Sequence, residues 1–324
     1  MPAPLPISPP RHLLVIKPSS LGDIVHALQV IQLLRCELPA CRVTWVVRDR
    51  FAPLVEAAPF VDEVILFHRK EGLRGLAKLL RELRQREFDM IWDMQGLLRS
   101  GLMTAAAMAK QKWGRSDARE GSAWFYKRKI DLPSSAGPHH AIAILLEFTK
   151  ALGIDRDIAY PLQLADGPNM PWSSFFAGDP NEQFVIFTDS RGAGKEWPGF
   201  DALTHLIWQE IPNSRIAWCA GSSMQPSGSI PDGRFLNLTG CPLLEMIELV
   251  RQPSIFIGND SGPMHLSAAV GNKVLAIFGP TSPLRFGPWP LDSPRTSSVQ
   301  APNGVLANLS AQQVLSSLLT LREK

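Results

Sequence analysis

Asp23 ends the run KPSSLGD (residues 17–23), set between an apolar strand and an apolar helix. A carboxylate there has two uses. Ser20 and Asp23 make the pattern S-x-x-D, a capping box in which Asp23 satisfies amides at the helix start and complements the helix dipole. The same carboxylate, at the carboxyl end of a strand, also stands where ligands of such sheets bind and where chemistry belongs. A second junction, GNDSGPMH (258–265), ends a strand in Asn259-Asp260-Ser261-Gly262 and opens a helix at Pro263. Amides around Ser261 and Gly262 suit a phosphate, with His265 one turn inside. An ordinary Ser/Gly-capped helix with His265 on its flank has the same sequence. The stretch TDSRGAGKEWP (188–198) sets Ser190, Arg191 and Lys195 around a Gly-containing loop. It is not a Walker A loop, because the first glycine is missing and Glu196 follows the lysine. Lys195 could still neutralise a leaving diphosphate, or it could simply be solvated. FGPTSP (278–283) adds a Gly/Thr turn carrying Thr281.

These residues need elements that bring them to one place. Short β-rich runs alternate with amphipathic stretches, the pattern of parallel α/β layering. Strands are expected at 12–17, 43–47, 63–67 and 89–94, with helices near 22–36, 73–86, 98–109 and 139–152. Gly, Pro, Asp and Asn then accumulate over 153–182, which reads as a linker. The alternation restarts with strands at 184–190, 215–221, 254–260 and 274–280 and helices near 199–210, 242–251 and 262–271. A last helix starts at Ser310, with Gln313 completing a capping box, and runs to about Leu321. Two doubly wound units in one chain leave a cleft, and ligands of such sheets sit at the carboxyl ends of the strands. Each of the four motifs lies just beyond a strand.

Composition excludes several classes. The 324 residues are 45% apolar and 19% charged, as in a globular protein of about two domains. Four cysteines form no CxxC pair, which fits a reducing compartment and gives no zinc site. The Pro-rich start lacks the apolar core of a signal peptide, and no apolar run reaches the ~20 residues of a membrane span. A cytoplasmic location is the expectation. No GxGxxG follows the first strand, no HExxH occurs, and GSS at 221–223 is not a nucleophile elbow. DRD at 155–157 falls in the linker and reads as a solvated turn. Residues 1–160 hold 23 Lys and Arg against 17 Asp and Glu, whereas 161–324 hold 10 against 13. The excess is concentrated in 66–129, with 15 basic against 7 acidic residues. A basic first half suits an anionic partner, a phosphorylated molecule or an acidic membrane face. Many of those charges also fit the outer face of an amphipathic helix at 72–88.

The segments LLVIKPSSLGDIVHALQVI, IWDMQGLLRSG, AREGSAWFYKRK, GAGKEWP, GNDSGPMHLSAAVG and FGPTSP follow one another in this order. Together they resemble glycosyltransferase family 9, the ADP-heptose:lipopolysaccharide heptosyltransferases, over nearly the whole chain. The ARE…FYKRK segment is more similar to the first heptosyltransferase of the inner core than to the second. The resemblance implies an α/β GT-B fold, two Rossmann-like parallel-sheet domains facing a cleft. Residues 1–165 would bind the acceptor and 166–324 the nucleotide sugar, with the last helix packing back toward the N-terminal domain. It implies an inverting transfer without metal or other cofactor. Asp23 matches the family's catalytic base, and Lys195 the lysine that meets the donor's phosphates. Asp260, Ser261, Gly262, His265 and Thr281 would line the donor site, beside Ser190 and Arg191. Ser20 and Gly22 would border the acceptor, and Arg119, Arg99 and Lys127 would meet its anionic groups.

Three positions depart from the family pattern. Gln29 stands where proline is common in the helix after the base. The run SSMQPSG follows the strand RIAWCAG where acidic residues often bind the ribose, leaving Gln225 as the substitute. Cys241 and Pro242 replace a lysine and a Ser/Thr. The expected partners are ADP-heptose, a phosphorylated Kdo-lipid A-type acceptor and the anionic inner face of the inner membrane, with no nucleic acid. Two other classes use the same cleft. One is a GT-B-like nucleotide-sugar epimerase or hydrolase, which needs no base facing an acceptor; the other is a non-catalytic nucleotide-sugar-binding protein.

Overall fold

Runs such as HLLVI, RVTWVVR and EFDMIWD set consecutive apolar, β-branched and aromatic residues between polar ends, and successive residues are buried, as in strands covered on both faces. In the computed structural model, residues 8–134, 138–158, 161–190, 194–221 and 225–324 are described. The chain divides into two compact units, Met1–Ala165 and Asp166–Lys324. The first holds strands β1 (His12–Ile16), β2 (Arg42–Arg48), β3 (Glu63–Phe67), β4 (Glu87–Asp93), β5 (Met108–Arg115) and β6 (Arg128–Ile130). Its helices are α1 (Leu21–Glu37), α2 (Ala52–Glu56), α3 (Gly72–Arg84), α4 (Leu98–Ala106) and α5 (Ala141–Lys150). The second holds β7 (Gln183–Phe187), β8 (Arg215–Ala220), β9 (Phe235–Thr239), β10 (Ile255–Asn259), β11 (Lys273–Phe278) and β12 (Thr296–Gln300). Helices α6 (Phe200–Glu210), α7 (Leu243–Arg251), α8 (Gly262–Ala269), α9 (Pro283–Phe286) and α10 (Ala311–Glu323) surround them.

Each unit is one parallel sheet. The first runs β3-β2-β1-β4-β5-β6 and the second β12-β11-β10-β7-β8-β9. Both are the doubly wound order 3-2-1-4-5-6, in which the winding reverses between the first and fourth strands. Ile16 of β1 lies beside Asp93 of β4, and Phe187 of β7 beside Gly258 of β10. Chain leaving those two pairs of strand ends diverges to opposite faces and opens a crevice. Asp23 follows the first such end, and Ser190 and Asp260 follow the second pair.

One expectation is corrected. The helix expected over 98–109 stops at Ala106, because Met108–Arg115 is β5. The last helix buries Val314, Leu315, Leu318 and Leu321 in the core of the second unit, with Trp197, Leu203 and Ile207. Its apolar face is therefore filled there. Its start is the capping box: Ser310 N donates to Gln313 Oε1 (3.0 Å) and Gln313 N to Ser310 Oγ (3.3 Å). The N-terminal core is built from Leu14, Ile16, Val46, Ile65, Ile91, Leu79 and Leu83. Among the described residues, no helix is long and apolar enough to cross a membrane.

Candidate active site

In the first unit, Asp23 stands in the first turn of α1, whose N-cap is Ser20. It is a cap in fact: Asp23 Oδ2 accepts from the Ser20 amide (3.0 Å) and the Ser20 hydroxyl (2.6 Å). Its other oxygen, Oδ1, is 3.5 Å from Lys17 Nζ. The lysine side chain is only 2% exposed, whereas that of Asp23 is 42% exposed. A buried cation therefore backs a carboxylate that still reaches solvent. Lys17 is held by its neighbours in the sheet. Its ammonium donates to Met94 O beyond β4 (3.1 Å), and its carbonyl accepts from Trp45 Nε1 of β2 (3.2 Å).

Burial works against charge on both partners. For Asp23 that upward push is more than offset by Lys17, by the two Ser20 hydrogen bonds and by His26, so its carboxyl lies well below the usual range. Lys17 is lowered by burial, with Asp23 pulling it back up and Arg115 adding to the fall. Asp23 is thus ionised at any working pH and intrinsically a weak base.

The ends of β4 and β5 frame this pair. Asp93 is fully buried and accepts from Gln95 N and Gly96 N (each 3.0 Å), Tyr126 OH (2.8 Å) and Thr104 Oγ1 (3.4 Å). Burial raises the Asp93 carboxyl despite those donors, and burial and Asp93 together raise the Tyr126 phenol. Arg115, at the end of β5, forms a two-bond pair with Asp117 (2.8 and 2.6 Å) and faces both Asp23 and Asp93.

The expected acceptor-side residues separate. Ser20 contacts Asp23, and Gly22 is buried in α1. Arg119 is exposed, its amide bonded to Gly96 O (2.9 Å) on the loop after β4. Arg99 is exposed and lies 6.0 Å from the Phe67 ring. Lys127 precedes β6, its amide on Lys112 O and its ammonium on Lys110 O (3.0 Å). That is three residues, about 10 Å of strand, short of Arg115.

In the second unit, three motifs meet on one carboxylate. Asp260 Oδ2 accepts from Lys195 Nζ (2.7 Å) and Thr281 Oγ1 (2.8 Å), and Asp260 O accepts from Ser190 Oγ (2.9 Å). Asn259 fastens the loops beneath: its Oδ1 accepts from Trp197 N (3.1 Å) and its Nδ2 donates to Thr188 O (2.9 Å). Gly279 permits the close approach, since a Cβ there would sit 3.0 Å from Gly194 O. Ser261 is the N-cap of α8, and Gly262 and Pro263 begin the helix. The Ser261 hydroxyl is buried without a hydrogen-bond partner among the described residues. His265 is mostly buried on the same helix. The arrangement offers an anion the amides of a helix start, three hydroxyls (Ser190, Ser261 and Thr281) and one lysine. Gln225 is exposed and, among the described residues, makes no bond to this cluster, and Arg191 lies outside the described residues.

Sequence reasoning gave no role to Lys17, Asp93, Arg115, Tyr126 or Asn259. The one available signal was the spacing of Lys17 and Asp23 across a single strand-to-helix turn.

Comparisons with known proteins give the family of the chain. The family model described as glycosyltransferase family 9 (heptosyltransferase) matches residues 76–317. The chain is 26% identical over 329 residues to lipopolysaccharide heptosyltransferase 1 of Escherichia coli K12, covering 95% of this chain and 99% of that one. It is 24% identical over 298 residues to the lipopolysaccharide core heptosyltransferase OpsX of Haemophilus influenzae, covering 88% and 84%. The solved structure of E. coli heptosyltransferase WaaC with ADP superposes with a TM-score of 0.76 at 22% identity, over 96% of this chain and 99% of that one, so the GT-B fold is shared. With its motifs and its matched span, the chain belongs to glycosyltransferase family 9, the heptosyltransferases.

Proposed function

We propose that this enzyme moves a heptose from ADP-heptose to the lipopolysaccharide inner core, on Kdo-lipid A or its heptosylated product, with inversion at the anomeric carbon. The observation that carries the reading is the half-exposed Asp23 carboxylate, kept ionised by buried Lys17 at the switch point of the first sheet. Asp23 accepts the proton of the acceptor hydroxyl as that oxygen attacks the anomeric carbon. A base this weak serves when proton transfer comes late, once the attacking oxygen has become acidic. The glycosidic bond to ADP breaks as the new bond forms, and the diphosphate leaves with its charge met by Lys195 and the amides of α8. Lys195 is paired with Asp260, so a bound diphosphate takes it from, or shares it with, that carboxylate. Ser20, Gly22 and Arg119 border the acceptor, Ser190, Ser261, Gly262, His265 and Thr281 the donor, and Gln225 the ribose side. The acceptor is lipid-linked, which places the enzyme at the inner face of the inner membrane, against anionic lipid.

The test is ADP release from ADP-heptose with and without Kdo-lipid A, with the product weighed by mass spectrometry. Acceptor-dependent release with one heptose added supports the reading. Release without acceptor would make the protein a hydrolase, and donor binding without release would make it a binding protein.

A further inference from the structure

At the other end of the first sheet lies a cavity of about 450 Å³ whose chemistry the transfer reaction does not use. It is bounded by the end of α4, the start of β5 and the turn before β6, with Met108, Lys112, Trp124 and Lys127 among its walls. Trp113 pairs with Arg128 and Gly114 with Lys129, a register that sets Lys112 beside Lys127. Alternation along the strands then puts Lys110, Lys112, Lys127 and Lys129 on one face. Among the described residues, no ion pair includes any of the four. The ammonium of Lys112 donates to Ala105 O (3.1 Å) and that of Lys127 to Lys110 O (3.0 Å), both neutral acceptors. Burial lowers Lys112, and the charge of Lys127 lowers it further, so the two lysines repel each other. An anion between them would relieve that repulsion.

The apolar wall narrows the choice of anion. Trp124 is 88% exposed and Met108 46% exposed at the rim of the cavity. A free phosphate has no use for an exposed indole. Exposed tryptophan next to unpaired lysines is the pattern of a bilayer interface, where the ring sits at headgroup depth and the lysine stems lie along apolar surface. We propose that this cavity and its rim dock the phosphate headgroup and first acyl carbons of an anionic bilayer lipid, holding the enzyme at the membrane by its first unit. The inference deepens the membrane part of the proposed function and rests on it, but needs no catalysis to be tested.

The experiment is co-sedimentation of the full chain with phosphatidylcholine vesicles, with and without phosphatidylglycerol. The wild-type chain should bind only the anionic vesicles. Lys112→Gln should weaken that binding about fivefold, the value of one lysine near an anionic surface. Lipids brominated on their acyl chains should quench part of the tryptophan emission, and Trp124→Phe should remove that quenching. Thermal melts check that both variants fold. Anionic-vesicle binding unchanged in both variants, with quenching intact in Trp124→Phe, would overturn the site while leaving membrane association standing. Displacement of the vesicles by millimolar inorganic phosphate, without acyl-chain quenching, would make it a free-anion site and overturn the lipid assignment. Failure of the wild-type chain to bind anionic vesicles would remove both the site and the membrane part of the proposed function. Heptose transfer to a detergent-solubilised acceptor tests the catalytic reading separately.

Discussion

One buried ammonium decides what Asp23 can be. Without Lys17, burial at the strand end would favour a protonated carboxyl; with it, and with Ser20 donating twice, Asp23 is held ionised. Lys17→Met keeps the length of the side chain and removes its charge. Asp23's pKa should then rise and bring into the kcat/KM profile an acid limb that the wild type lacks at working pH, with kcat at neutral pH falling less than in a variant of Asp23 itself. A folded Lys17→Met enzyme with a profile as flat on the acid side as the wild type's would show that the lysine does not set the carboxylate. The motif residues themselves could be read from the sequence, because a strand-turn-helix junction puts Asp23 at a helix start whatever the fold. What backs them could not. Lys17 owes its burial to β2 and β4 on either side, a neighbourhood fixed by strand order and not by local pattern.

Among the elements, β5 frames the site least visibly. Its sequence MAKQKWGR carries three basic residues and only two large apolar side chains, Met108 and Trp113, so it has none of the buried-strand signature of β1 or β4. The expected helix at 98–109 ran into it for that reason. The short strand β6 and the half-buried β9 and β12 escaped in the same way, whereas the central strands stood out as apolar runs. The position that makes β5 work is Gly114. A Cβ there would fall 2.2 Å from the Tyr126 ring, whose hydroxyl is bonded to Asp93. Gly114→Ala should push the ring away and destabilise the protein by about 1–3 kcal/mol, as overpacking in a core does. Tyr126→Phe should cost less, since it removes one of several donors to Asp93. Denaturant midpoints for the two variants check the order; a Gly114→Ala protein as stable as wild type would contradict the packing described. In the second unit, Lys195, Asp260 and Thr281 come from three separate loops. Their meeting followed from the strand order, which set the ends of β7, β10 and β11 together.

For the whole molecule, charge and acid stability follow from the same contacts. Asp23, Glu63, Asp117 and Asp201 all have carboxyls below the usual range; for Glu63 and Asp117 the leading cause is a hydrogen bond from Arg86 and Arg115 respectively. Groups lowered in the folded chain stabilise it above their unfolded pKa of about 4 and lose that contribution as pH falls through the folded value. Asp93, raised by burial, acts in the opposite sense and favours the folded chain as it gains its proton. The urea midpoint should therefore hold steady from neutral pH to about 5 and fall below about 4. A midpoint that rises on acidification through that range would contradict the balance of shifts. The central claim, that Asp23 takes the acceptor's proton, is tested most directly by the turnover of Asp23→Asn with ADP-heptose and Kdo-lipid A, measured beside its affinity for ADP and its melting temperature. The expected result is a loss of about 10²–10⁴-fold in kcat with ADP affinity and folding intact. Turnover within tenfold of wild type in a folded Asp23→Asn enzyme would leave Asp23 a helix cap and the base elsewhere.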